Sequence, residues 1–124
     1  MITITKIFRF EASHQLPLHS GKCKNFHGHS YKLEVTIGSK QLDEKGMVMD
    51  FGDLKKIVDQ KIISKLDHQH LNNFYDNPTA EEMTLDFFEK ISDGLFGFNF
   101  VFLNSIRLWE TETHFAEKRR IVKI

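Results

Sequence analysis

Two stretches near the start of the chain alternate between apolar and polar residues, and each carries histidines in phase with its apolar side chains. The apolar parity of residues 2–14 ends at His14, and that of residues 27–37 begins with His27 and His29. Side chains two apart on a strand point to the same face, so both stretches predict strands with imidazoles on a buried face. Buried imidazoles without a partner are costly, and a metal ion removes that objection.

Three imidazoles around one ion leave a fourth position open, which is the arrangement of a catalytic zinc rather than a structural one. Neutral imidazoles also suit Zn²⁺. His14 is the expected third ligand beside His27 and His29, and His19, in the loop after the first strand, competes with it. The alternative is that these are unrelated surface or core histidines.

Cys23 is the single cysteine of the chain and lies four residues before His27. A free cysteine is often a small buried hydrophobe. Here it lies between Lys22 and Lys24, whose positive charge favours a thiolate that could act as a base or nucleophile. One cysteine excludes an internal disulfide and makes a reducing cytoplasm the expected compartment.

Asp67 and His68 follow the first predicted helix. An acidic neighbour could orient the imidazole for proton transfer, although Asp-His at a helix end is also common capping material. On the same argument His70 is interpreted as a surface residue.

Glu110 has the inward parity at the end of the third predicted strand. A buried carboxylate is paired or serves a ligand, and it can accept two parallel hydrogen bonds from an amino-imino edge such as that of a guanidine or pterin. The alternative is that the strand has surfaced by this point. The basic cluster 118–120 is typical of a solvated strand face, or would hold an anionic group if it neighboured the site.

The periodicities predict the order β-β-α-α-β-β in a single domain, residues 1–124, of the α+β class with an antiparallel four-stranded sheet. Asp50 and Thr79 are the expected N-caps of the two helices. The third strand, residues 98–110, places Phe98, Phe100 and Phe102 in phase with Ile106 and Leu108, and residues 114–124 form a closing strand. Two helices cover only one face of the sheet. We expect the other face, with its phenylalanines and ligand histidines, to be covered by self-association.

The charges balance, with 17 basic and 17 acidic residues. No global basic field indicates nucleic-acid binding. The N-terminal residues form a strand pattern rather than a leader sequence, and no apolar run reaches the length of a membrane span.

Six motifs together carry a resemblance to one enzyme family. They are Phe10-Glu-Ala-Ser-His14, Cys23-x3-His27-Gly-His29, Gly46-Met-Val-Met-Asp50-Phe51, Leu66-Asp-His68 with Leu71-Asn72, Asn77-Pro-Thr-Ala-Glu81 and Trp109-Glu110-Thr111. From end to end the chain resembles the 6-pyruvoyl-tetrahydropterin synthase family. The three-residue gap after Cys23 is most similar to the bacterial 6-carboxy-tetrahydropterin synthase branch of queuosine biosynthesis, although Ser13 stands where alanine is frequent.

The resemblance implies a T-fold subunit in an oligomeric barrel, usually a hexamer built as a dimer of trimers, with active sites shared between subunits. It also implies the roles of eight residues: zinc binding by His14, His27 and His29, catalysis by Cys23 with Asp67 and His68 of a neighbouring subunit, and substrate binding by Glu110 and Thr79.

The implied reaction converts 7,8-dihydroneopterin triphosphate to 6-carboxy-5,6,7,8-tetrahydropterin and releases acetaldehyde and triphosphate, which makes the protein a carbon–carbon lyase. A 6-pyruvoyl-tetrahydropterin synthase, which keeps the side chain, is the first alternative. A catalytically silent, zinc-stabilised binding or assembly module is an alternative of another class.

Overall fold

In a computed structural model that describes residues 1–121, one sheet carries two helical segments on one of its faces. The strands are β1 (Ile2–His14), β2 (His27–Ser39), β3 (Gln69–His70), β4 (Val101–Thr111) and β5 (His114–Arg119). The first helical segment comprises α1 (Phe51–Val58), a π-helical turn (Asp59–Ile63) and α2 (Ser64–Leu66), and the second is α3 (Ala80–Leu95). Residues 122–124, the predicted end of the closing strand, lie outside the described residues.

The sheet has five strands in the order β3-β1-β2-β4-β5. The four long strands are antiparallel, as predicted, but β3 is an additional strand that runs parallel to β1. The predicted four-stranded antiparallel sheet is therefore wrong in this detail. A strand of two residues has no periodicity to read, and β3 exists only because the chain after α2 passes beside Ala12 and Ser13.

The register of β1 and β2 brings the predicted histidines together. Their antiparallel pairing sets His14 opposite His27 and Ala12 opposite His29. Phe10 stacks on Tyr31 one pair further along, and its ring also meets Phe87 of α3. The histidines therefore lie on the helix-covered face, at the end of the core, and not on the uncovered face.

A β-bulge in β4 reverses the predicted parity of this strand. Thr36 pairs with Ser105 and Ile37 with Leu103, so Asn104 is the extra residue. The insertion puts Leu103 on the same face as Ile106 and Leu108, and all three are buried. The prediction that Phe98 and Phe100 share the core face is wrong, because both precede β4 and are exposed.

The uncovered face is mostly polar rather than lined by phenylalanines. The side chain of Arg107 donates to Glu117 at 3.0 Å, and Lys32 lies 4.4 Å from the ring centre of Trp109. The Arg107 contact holds the pKa of the Glu117 carboxyl below its usual range. A polar face tolerates solvent, so the sheet does not by itself demand a covering subunit.

Both predicted helix caps are confirmed. Asp50 accepts a hydrogen bond from the Gly52 amide at 2.6 Å, and Thr79 accepts one from the Glu82 amide at 3.0 Å. None of the described helices combines the length and apolar character needed to cross a membrane.

Candidate metal centre and surrounding residues

Three of the predicted ligands form one cluster. One ring nitrogen from each of His14, His27 and His29 lies within 4.8 Å of the other two. His14 is fully buried and the other two are half-buried. The cluster follows directly from strand parity and from the β1–β2 register, which put three imidazoles at one end of the core.

Two backbone carbonyls determine how the imidazoles face one another. His14 Nδ1 lies 2.8 Å from the carbonyl oxygen of Pro78, and His27 Nδ1 lies 2.7 Å from that of Asn25. A carbonyl only accepts, so both Nδ1 atoms carry the proton and both Nε2 atoms carry a lone pair. These two Nε2 atoms are 3.0 Å apart. Two lone pairs at that distance repel each other unless a cation lies between them.

The third imidazole also has a ring nitrogen without a partner. His29 Nε2 is buried and makes no hydrogen bond within the described residues. Burial lowers the pKa of both His14 and His29, which favours the neutral form that binds metals. Zinc binds imidazole nitrogens at about 2.0–2.1 Å, so the cluster is close to the size required. The three histidines can hold a metal ion.

Glu110 lies beside this cluster, as its inward parity predicted. Its Oε1 atom is 3.9 Å from His29 Nε2 and 3.4 Å from His114 Nε2, and its side chain is only 18% exposed. A second bulge, between Trp109 and Thr111 where β4 pairs with β5, leaves Glu110 without a paired residue on β5, and Glu110 keeps the inward parity of Ile106 and Leu108. The alternative that the strand has surfaced is therefore wrong.

Asp67 and His68 form the predicted pair, but within one chain neither residue is part of the histidine cluster. Asp67 Oδ1 is 3.0 Å from His68 Nδ1 and also accepts the Glu11 amide at 2.9 Å. His68 has the left-handed φ of +62°, and its side chain is 77% exposed. It lines a groove of about 570 Å³ with Glu11, Ser13 and Ser30, and the metal-ligand candidate His29 lines the same groove.

Cys23 lies in a short 3-10 turn, Lys22–Lys24, and is half-buried. Its carbonyl oxygen accepts the Leu16 amide at 2.9 Å, which closes the loop on itself. Within the described residues the thiol is not part of the three-ligand cluster.

The other candidate residues, His19, Thr79 and His70, lie outside the histidine cluster. His19 is not part of the cluster, and its Nδ1 accepts the Gly21 amide at 2.8 Å in the exposed loop. The Thr79 hydroxyl is engaged as the helix cap, next to Pro78, whose carbonyl orients His14. His70 is half-buried rather than a surface residue, with Nδ1 2.9 Å from Ser13 Oγ.

The basic cluster 118–120 does not neighbour the metal ligands within one chain. Arg119 contacts Glu117 at 3.2 Å, and the Arg120 guanidinium lies 3.9 Å from the ring centre of Phe102. Arg119 pairs with Ser105, five residues before Glu110, which corresponds to about 16 Å along the strand. Within one chain these residues are a paired strand face.

Four features of the site could not be found from the sequence. They are the carbonyls of Asn25 and Pro78, the ring of Tyr31 and the imidazole of His114. Backbone carbonyls carry no residue-specific signal, and Tyr31 was indistinguishable from core apolar residues. Only the four-residue spacing from Glu110 to His114 gave a weak hint.

The sequence matches the 6-pyruvoyl tetrahydropterin synthase family over residues 3–120. It is 37% identical over 141 residues to a 6-carboxy-5,6,7,8-tetrahydropterin synthase of Haemophilus influenzae, covering 94% of this chain and 98% of that protein. A protein of the same name from Synechocystis is 41% identical over 123 residues, covering 94% of this chain and 92% of that protein.

A dihydroneopterin monophosphate aldolase of Pyrococcus furiosus is 40% identical over 101 residues, covering 82% of each chain. Among solved structures, the fold is similar to that of Caenorhabditis elegans 6-pyruvoyl tetrahydropterin synthase. That comparison has a TM-score of 0.81 and 25% identity, and covers 97% of this chain and 96% of the other.

Proposed function

The chain belongs to the 6-pyruvoyl tetrahydropterin synthase family, as its motifs predicted, and we propose that it is a zinc-dependent 6-carboxy-5,6,7,8-tetrahydropterin synthase. Its similarity to proteins named 6-carboxy-5,6,7,8-tetrahydropterin synthase over most of the chain identifies it as an enzyme, a lyase. The observation that carries the metal part of the proposal is the pair of Nε2 lone pairs of His14 and His27, 3.0 Å apart, beside the unpartnered Nε2 of His29.

The proposed substrate is 7,8-dihydroneopterin triphosphate, and the proposed products are 6-carboxy-5,6,7,8-tetrahydropterin, acetaldehyde and triphosphate. The reaction is an early step of queuosine and 7-deazapurine biosynthesis. His14, His27 and His29 would hold the zinc. When bound, the ion supplies Lewis acidity that lowers the pKa of the side-chain hydroxyls of the substrate.

Glu110 is the proposed anchor of the pterin ring. Its carboxylate is mostly shielded from water beside His29, so hydrogen bonds from the amino-imino edge of the pterin would be strong there. Thr79 lies in the segment that includes Pro78, and we assign that segment to the pocket wall with its hydroxyl retained as the helix cap.

Cys23 and His68 are the proposed proton carriers. The Asp67 carboxylate accepts from His68 Nδ1, which leaves a lone pair on the exposed Nε2 of His68. Because His68 is exposed and is not part of the histidine cluster of its own chain, it would serve the site of a neighbouring subunit. The oligomer is then part of the active site, and a hexamer of two trimers is the proposed form.

The open edge of the sheet supports self-association. In the described part of the chain β3 pairs only with Ala12 and Ser13, although β1 spans Ile2–His14. The backbone of Glu11 is engaged by Asp67 and His68, but residues 2–10 of this edge have no strand partner within the described residues, which favours pairing with another strand. We propose that this edge pairs with a strand of a second copy, so that one subunit's His68 reaches the other's metal centre.

Product identification tests the function. Purified protein incubated with 7,8-dihydroneopterin triphosphate should release acetaldehyde and a 6-carboxypterin, measured by mass spectrometry. A pyruvoyl product would establish the first alternative. Release of a two-carbon aldehyde that still carries the phosphate groups would indicate an aldol cleavage, in line with the name of the Pyrococcus relative.

Two substitutions separate an enzyme from a silent module. Cys23→Ala and His68→Ala should each abolish turnover while leaving the zinc content unchanged, because neither residue is in the ligand cluster. Wild-type protein that binds zinc but turns over no pterin would support the silent module instead.

A further inference from the structure

The loop that carries Cys23, residues 15–26, is tied at its first residue to the segment that follows His68. The Gln15 amide donates to Asn72 Oδ1 at 2.8 Å, and Asn72 Nδ2 donates to the Gln15 carbonyl at 2.8 Å. This reciprocal pair uses both polar atoms of the Asn72 side chain. No other standard side chain of this length offers one donor and one acceptor at the same place.

The last part of the loop is tied to the same segment. The Phe26 ring stacks on the His70 imidazole, with ring centres 4.7 Å apart and planes inclined by 16°. His70 is itself held by Ser13 Oγ at 2.9 Å and by the pairing of β3 with β1. Phe26 is 64% exposed even with this stack in place, so the His70 ring is a main packing partner of an exposed phenylalanine.

The contact at Gln15 continues to Cys23 through the backbone. Leu16, next to Gln15, donates its amide to the Cys23 carbonyl at 2.9 Å. The Lys24 amide donates to Gly21 and the Asn25 amide to Lys22, so the turn around Cys23 is closed by its own hydrogen bonds. Displacing Gln15 would therefore displace the turn that contains the thiol.

We propose that Asn72 and His70 are positioning residues, which hold the Cys23 loop against the segment that carries Asp67 and His68. This inference rests on the proposed function. In a shared site, the segment 67–72 then serves two active sites at once. It presents His68 to a neighbouring subunit and fixes Cys23 of its own chain, so the two sites are mechanically linked.

Alkylation of Cys23 measures the position of the loop without reference to turnover. The chain has one cysteine, so the rate of reaction with iodoacetamide reports this residue alone. Asn72→Ala removes both hydrogen bonds to Gln15 and should raise the labelling rate of the native oligomer about tenfold, as expected for two weak bonds. Asn72→Asp keeps the acceptor but loses the donor, and should give an intermediate rate.

Asn73→Ala is the matched control. Asn73 is the next residue, is exposed, and its side chain makes no hydrogen bond among the described residues. It should label at the wild-type rate. His70→Phe keeps a ring for Phe26 and should label more slowly than His70→Ala. All variants should keep the wild-type zinc content, and turnover should fall through kcat while KM is unchanged.

Equal labelling rates for wild type, Asn72→Ala and His70→Ala would overturn the positioning role, as would a wild-type rate equal to that of the urea-unfolded chain. If Asn72→Ala does not fold, the two His70 variants decide the question. A wild-type protein without pterin turnover would reject the proposed function, while the labelling rates would still decide whether Asn72 and His70 hold the loop.

Discussion

In metal-free protein, substitution of the fully buried His14 should destabilise the fold more than substitution of the half-buried His29. His14→Ala deletes the donor that satisfies the Pro78 carbonyl at 2.8 Å, in a fully buried position. Leaving a buried acceptor without a partner costs about 1–3 kcal/mol. His29 Nε2 has no partner among the described residues, so His29→Ala removes an unsatisfied polar atom. In metal-free protein we therefore expect His14→Ala to be less stable than His29→Ala by about 1–3 kcal/mol.

Urea unfolding in the presence of EDTA measures this difference. With a typical dependence on urea for a domain of this size, the midpoint of His14→Ala should lie about 1 M below that of His29→Ala. His19→Ala, in the exposed loop, is the matched control and should unfold with the wild type.

Zinc should separate the wild type from both variants. A metal at one hundred times its Kd stabilises a folded protein by about 2.7 kcal/mol, and both variants should lose that increment relative to wild type. Equal midpoints for the two variants in EDTA, or a lower midpoint for His29→Ala, would refute the claim that the hydrogen bond from His14 to the Pro78 carbonyl stabilises the metal-free protein.

Three further predictions concern acidity, the ring anchor and the shared site. Burial lowers the pKa of His14 and His29 from 6.5, so the unfolded chain takes up protons at higher pH than the folded chain does. The urea midpoint in EDTA should therefore be constant above pH 6.5 and decrease below it. An increase below pH 6.5 would contradict the burial of neutral imidazoles. Glu110→Gln should weaken the binding of a fluorescent pterin by about tenfold or more with zinc retained, since a charged acceptor is lost; unchanged affinity would exclude Glu110 as the anchor. Inactive Cys23→Ala and His68→Ala subunits, unfolded together and refolded, should regain about a quarter of wild-type turnover if each site draws on two chains, whereas no recovery would indicate sites within one chain.

The sequence predicted the parts of the fold that repeat. The alternation in residues 2–14 and 27–37 gave the first two strands, and the same parity placed His14, His27 and His29 on one face. Parity survives as long as a strand is regular. The bulge at Asn104 makes β4 irregular, because one inserted residue exchanges the two faces of the strand. No residue type in the sequence predicts the position of this bulge.

Contacts between distant segments were beyond prediction for a different reason. The Asn72 side chain meets Gln15 only because β3 lies beside β1, and β3 is too short to be recognised by its pattern. The position of His68 relative to the metal cluster likewise depends on which face the chain turns to after α2. The sequence therefore predicted the cluster of three histidines and the position of Glu110 beside it, whereas the contacts that hold these side chains became visible only in three dimensions.

The most direct measurement of the central claim is the metal content of the purified protein and of His27→Ala. The convergence of three imidazoles predicts one zinc ion per wild-type chain by elemental analysis, and loss of most of it in His27→Ala, which retains only two of the three ligands. A His27→Ala protein that still carries one zinc per chain would contradict the metal centre and the chemistry proposed from it.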